Sequence, residues 1–195
     1  MTNVLGKENV GVESSSSGSR IPYYPTHTVR IVDFPFPVTG PKKQQLNAEV
    51  QLWEIGGDPK YVSSEFEMIN YDPKFNLVPF YRLKSIWPGV QKDADGIIIL
   101  YKTIDDTQVN DASALHMHFL THSNSGLSPA QCFIIGNNFR GMRELGAQKI
   151  IGISQRTRHV AVNVEDDVNK LRDEFQGFIS GVAQIVYEKE RALGQ

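Results

Sequence analysis

The sequence predicts an α/β protein with a mostly parallel central sheet, and three observations carry that expectation. Two segments, Gly96-Ile97-Ile98-Ile99-Leu100-Tyr101 and Cys132-Phe133-Ile134-Ile135-Gly136, are nearly continuous apolar runs, the mark of strands buried on both faces. Between them, residues 108–123 place Val109, Ala112, Leu115 and Phe119 at helical spacing. After a short third strand at His159–Val162, the chain ends in the clearest helical pattern, with Val168, Leu171, Phe175, Phe178, Val182 and Ile185 recurring every three or four residues. Helix alternating with fully buried strand is the pattern of a parallel sheet with crossover helices.

The other elements follow in chain order. Residues 1–20 are expected to be a flexible N-terminal segment, because Glu13-Ser14-Ser15-Ser16-Ser17-Gly18-Ser19 is polar and of low complexity and cannot offset its ordering entropy. Val29-Arg30-Ile31-Val32-Asp33-Phe34 alternates and is β-branched, and Pro35 and Pro37 confine its far end to a sheet edge. Val38 to Lys43 reads as a turn. Ala48, Val50 and Leu52 then alternate with Glu49, Gln51 and Trp53. Two alternating runs joined by a turn predict an antiparallel hairpin with one buried face. In the stretch 58–92, Asp72-Pro73 and Val78-Pro79 break any long helix, which leaves short helices at 62–69 and 80–86. Asn163 is the expected cap of the last helix, with Glu165, Asp166 and Asp167 in its first turn.

Composition narrows the function classes. The 195 residues are 40% hydrophobic and 22% charged, as in an ordinary globular domain. A net charge of −2 gives no basic excess for nucleic acid or an anionic membrane surface. Cys132 is the single cysteine, so no intrachain disulfide forms, and without a signal peptide the cytoplasm is the expected compartment. Apolar runs of four or five residues fall well short of the roughly 20 that a spanning helix needs. The last residues, Arg191 to Gln195, carry no cysteine, so a prenyl membrane anchor is not expected.

Three short constellations have chemical content. Leu52-Trp53-Glu54-Ile55-Gly56-Gly57-Asp58 puts an acid, two spacers and a glycine at a strand's C-terminal end. That is the arrangement in which the acid orients a Mg²⁺ shell and a glycine amide faces a γ-phosphate; a strand simply turning through two glycines is the plainer reading. Thr26, in the loop before the hairpin, has a hydroxyl suited to Mg²⁺. Asn137, at the end of a buried parallel strand, stands where ligands lie in open α/β sheets. Singly, each is an ordinary loop residue. Their order, strand-end placement and separations together match the small-GTPase layout.

From about residue 22 to about residue 188 the chain resembles the Rab-like small GTPase family of the intraflagellar transport B complex, the Rab-like protein 5 family. The resemblance rests on Pro25-Thr26 with Val29-Arg30-Ile31, on Leu52-Trp53-Glu54-Ile55-Gly56-Gly57-Asp58-Pro59-Lys60, on Trp87-Pro88 with Lys92-Asp93-Ala94-Asp95-Gly96, and on Asn163-Val164-Glu165-Asp166-Asp167 leading into Arg172-Asp173-Glu174-Phe175. It implies a Rab-like, P-loop NTPase fold over residues 21–190, with 62–86 as an insertion and 191–195 as a tail. It also implies GTP/GDP and Mg²⁺ as cofactors. Thr26 then takes the switch I role toward Mg²⁺ and γ-phosphate, Glu54 the switch II acid toward Mg²⁺, Gly57 the switch II glycine, and Asn137 the guanine-reading asparagine. The implied partner is the coiled-coil heterodimer of the intraflagellar transport B particle, and the implied location is the cilium or flagellum and its base.

The departures from the pattern carry their own expectations. Glu54 stands in place of an aspartate. Asp58 stands where Rab proteins carry the glutamine that orients attacking water, so little or no GTP hydrolysis is expected. Asn138 and Arg140 replace the lysine and aspartate of the Asn-Lys-x-Asp motif, which removes the charged acceptor for guanine. Gly6-Lys7-Glu8 lacks the glycine spacing and hydroxyl of a phosphate loop, so the first strand and the phosphate loop of the fold are expected to be missing from this chain. Two other functions remain open at this point. One is an active GTP switch with very slow hydrolysis whose true N-terminus lies upstream; the other is an unrelated doubly wound enzyme. His118 and His122, at i, i+4 spacing, lack a completing cysteine or glutamate for a metal site.

Overall fold

The computed structural model describes residues 29–40, 44–55, 87–103, 106–122, 126–138, 153–164 and 166–194. The predicted helices at 62–69 and 80–86 lie outside them. In order, the elements are strands β1 (Val29–Thr39) and β2 (Gln45–Ile55), a short helix α1 (Trp87–Gln91), strand β3 (Ile97–Lys102), helix α2 (Asp106–Met117), a π-helical turn (His118–His122), a 3₁₀ turn (Pro129–Gln131), strands β4 (Cys132–Asn137) and β5 (Arg158–Val162), and helix α3 (Val168–Leu193). The strands form two sheets, β1–β2 and β3–β4–β5. Chain contacts divide into two compact units, Met1–Phe34 with Val50–Val90 and Pro35–Glu49 with Gln91–Gln195.

β1 and β2 are joined by a connection far too short for a parallel crossover, which makes them a hairpin; Gly40 N–H bonds the Gln44 carbonyl at 2.8 Å across its turn. β1 runs through Pro35, Pro37, Val38 and Thr39, so the turn expected to begin at Val38 starts later. Both prolines fit an edge strand, where a missing N–H breaks no ladder. In the first unit, Val32 and Phe34 turn inward from β1 and Val50 and Leu52 from β2, while Ile31 and Trp53 face outward. Trp87 of α1 is buried there too.

The second unit holds the expected parallel sheet. β3 pairs with β4 from Ile97↔Cys132 to Lys102↔Asn137, and β4 with β5 from Phe133↔Arg158 to Asn137↔Val162, both parallel. Residues in register share a face. On one face, Ile99, Tyr101, Cys132 and Ile134 pack against Val109 and Ala112 of α2. On the other, the Phe133 ring meets Phe178 of α3 with centroids 5.4 Å apart. The end of the hairpin also lies on α3: Phe36 meets Phe175 edge-to-face at 5.1 Å, and Thr39 N–H donates to Ser180 Oγ at 3.1 Å. The α3 stripe Leu171, Phe175, Phe178 and Val182 is buried, as its spacing predicts.

Two helix boundaries differ from expectation. α2 ends at Met117 and the chain continues as a π-helical turn, so the segment expected to be helical to 123 changes its winding. α3 begins at Val168 with Asp167 at its cap position and no acid in its first turn. Asn163 instead opens the preceding turn. Its Oδ1 and its backbone carbonyl accept from Asp166 N–H, at 3.3 Å and 3.2 Å, and the carbonyl also accepts from Asp167 N–H at 2.8 Å. An asparagine readily caps such a turn in place of the helix proper.

Candidate functional site

The C-terminal ends of β3, β4 and β5 converge on a small polar cluster in the second unit. Thr103 follows β3 directly and is buried. Its N–H bonds the Asn137 carbonyl at 3.2 Å, which carries the β3–β4 ladder one residue further. Its hydroxyl donates to Asn138 Oδ1 at 2.5 Å and lies 3.4 Å from the Asn137 carbonyl oxygen. On the far side, Asn138 N–H bonds the Val162 carbonyl at 2.8 Å, extending the β4–β5 ladder. Asn137 and Asn138 are therefore held through their backbones by both neighbouring strands.

The two side chains go separate ways. Asn138 is tied toward β3 through Thr103. Asn137 Oδ1 accepts the Val164 backbone N–H at 3.2 Å. That bond settles the amide orientation, because only the oxygen can accept from a backbone N–H. It leaves the Asn137 Nδ2 hydrogens without a partner among the described residues. Asn137 is half-buried, so a pair of donors stands ready at the sheet's carboxyl edge. Such donors match the ring-nitrogen and carbonyl acceptors that a purine edge presents.

Glycine is required one residue earlier. A Cβ at Gly136 would stand 2.7 Å from Thr103 Cγ2 and 2.9 Å from the Tyr101 hydroxyl. Two further polar pairs lie along the sheet, the second just before the start of β5 at its opposite end. Tyr101 Oη and His159 Nε2 share a hydrogen bond of 3.0 Å, and buried His116 Nε2 pairs with Thr157 Oγ1 at 2.9 Å. Burial raises the Tyr101 pKa and lowers those of His116 and His159, so these rings stay uncharged and serve packing.

The expected site residues divide by what the structure describes. Asn137 stands at the end of β4, as read. Glu54 is half-buried near the end of β2, in the first unit. Thr26 and Gly57 lie outside the described residues, as do Asp58 and Arg140. Among the described residues, the Asn137 amide offers donors of the kind a nucleobase edge accepts. Thr103 and the Val164 N–H were missed in the sequence. The signal for Thr103 was available: it is a polar residue immediately beyond a buried parallel strand, the same position that singled out Asn137.

Fold and cluster together define an α/β protein whose parallel sheet carries polar groups at its carboxyl ends, compatible with the small-GTPase class. No protein-family model matches the chain. Individual relatives do. The chain is 24% identical over 170 residues to the Bos taurus "Intraflagellar transport protein 22 homolog", covering 85% of this chain and 77% of the relative. The Homo sapiens protein of that name is 23% identical over 167 residues, with the same coverage of both chains. A Caenorhabditis elegans "Intraflagellar transport associated protein 2" is 20% identical over 183 residues, covering 91% of this chain and 62% of the relative. The resemblance read from the sequence, to the Rab-like family of intraflagellar transport, is borne out by these matches.

Proposed function

We propose that this chain is an atypical Rab-like subunit of the intraflagellar transport B particle, acting in cilium or flagellum assembly and transport. Similarity to intraflagellar transport proteins along 85% of its length is the observation that carries this reading. Within the proposal, residues 21–190 form one Rab-like domain, 62–86 are its insertion, and the chain docks on the coiled-coil heterodimer of the particle through surfaces bordering Thr26 and Gly57. The test is affinity purification of the tagged chain from ciliated cells. Recovery of the particle's coiled-coil subunits in stoichiometric amounts is expected; their absence under gentle extraction contradicts the docking role.

A nucleotide reading is favoured by one specific observation, the Asn137 amide at the end of β4, whose Nδ2 has no partner among the described residues. In it, Asn137 holds the base of GTP or GDP, Gly57 gives its amide to the γ-phosphate, and Thr26 and Glu54 hold Mg²⁺. Bound nucleotide supplies the phosphate and metal charges that order loops of this kind. Asp58 beside the γ-phosphate adds repulsion where an uncharged group would position water, so hydrolysis is slow or absent. These 195 residues hold no Gly-x-x-x-x-Gly-Lys-Ser/Thr motif. Titration with labelled GDP and Mg²⁺ decides the matter: saturable binding supports the reading, and no binding up to millimolar nucleotide ends it.

A further inference from the structure

We infer that Thr103 is a positioning residue for the nucleobase end of this site, an inference that rests on the reading of Asn137 as the base-contacting group. Asn137 is useful to a ligand only if its amide is held with Nδ2 outward, and the Val164 N–H holds only one end of it. The other constraint is on the Asn137–Asn138 segment, and Thr103 grips that segment twice. Its N–H bonds the Asn137 carbonyl and its hydroxyl bonds Asn138 Oδ1. The second grip draws the Asn138 side chain toward β3, away from the side on which Asn137 reaches Val164. Each asparagine is thereby kept in one role, with Asn138 as an internal tie and Asn137 as the outward reader.

The surroundings are shaped for this contact. Thr103 is 5% exposed and its partner Asn138 half-buried, so the hydroxyl bond is partly shielded from water, which strengthens it. Gly136 leaves the space that the Thr103 γ-methyl occupies. A hydroxyl on a β-branched side chain suits the position, since branching restricts χ1 and pre-aims the donor.

The experiment compares the full chain with Thr103→Val and Thr103→Ser. Valine keeps the branched shape and removes the donor; serine keeps the donor. Two readouts are taken: labelled GDP titration with Mg²⁺, and the Asn137 side-chain NH₂ signals in a ¹⁵N–¹H spectrum. Thr103→Val is expected to weaken GDP about five- to tenfold, the size of one lost hydrogen bond, and to shift or broaden the Asn137 amide signals. Thr103→Ser is expected to restore both, which a purely structural defect would not do. Unchanged affinity and unchanged Asn137 signals in a folded Thr103→Val protein overturn the inference. If the unaltered chain binds no GDP, the nucleotide reading fails by itself, and the Asn137 signals still decide whether Thr103 positions that amide.

Discussion

At Gly136 the space for even one methyl group is already taken, by Thr103 Cγ2 and the Tyr101 hydroxyl. Gly136→Ala is therefore expected to cost about 1–3 kcal/mol through overpacking, read as a lower denaturant midpoint at unchanged slope. Cys132 has no exposed surface, and burial pushes its thiol pKa up to about 12. It is expected to resist thiol reagents in the native protein and to react at once in denaturant; fast native labelling would show that β4 opens. His116 and His159 give a pH dependence of defined sign. Burial lowers both folded-state values, so below the ordinary histidine value near 6.5 the unfolded chain takes up protons that the folded chain refuses. Stability is full above that value and falls as pH drops from about 6.5 toward the lowered folded values. Unfolding midpoints measured from pH 7.5 to 5 should decline, and His116→Gln should blunt the decline.

At the level of elements, α3 buries a stripe of Leu171, Phe175, Phe178 and Val182 in the second unit. Phe175 is wholly buried and meets Phe36. Phe175→Ala is expected to cost about 3–5 kcal/mol, whereas Leu193→Gln, at a position 88% exposed, should change stability by less than about 0.5 kcal/mol; equilibrium unfolding of both variants checks the contrast. These elements were largely legible in the sequence. The unbroken apolar runs at β3 and β4 and the long stripe of α3 leave one economical arrangement each. Boundaries were less legible, for identifiable reasons. Pro35 and Pro37 suggest an early end to β1, but an edge strand has no ladder bond there to lose. Asn163 has the chemistry of a helix cap and also that of a turn, and spacing alone does not choose between them. Nothing in His118 to His122 announces a π-helical turn, which depends on how the helix end meets its neighbours.

For the whole molecule, the parallel order of β3, β4 and β5 explains why the position of Asn137 at the end of β4 was readable in the sequence: buried parallel strands deliver their carboxyl ends to one edge. The place of Thr103 just beyond a buried strand was a local signal, but the hydrogen bonds that tie Thr103 and Val164 to the two asparagines join segments 27 to 35 positions apart, which no local pattern encodes. The functional assignment draws on a third source, the matched relatives, and is tested most directly in the cell. The measurement is time-lapse imaging of the fluorescently tagged chain in living cilia or flagella. Particles that move along the axoneme in both directions, together with a known intraflagellar transport subunit, are the result predicted here. A diffuse signal in the cell body, excluded from the organelle while that subunit moves normally, would contradict the assignment.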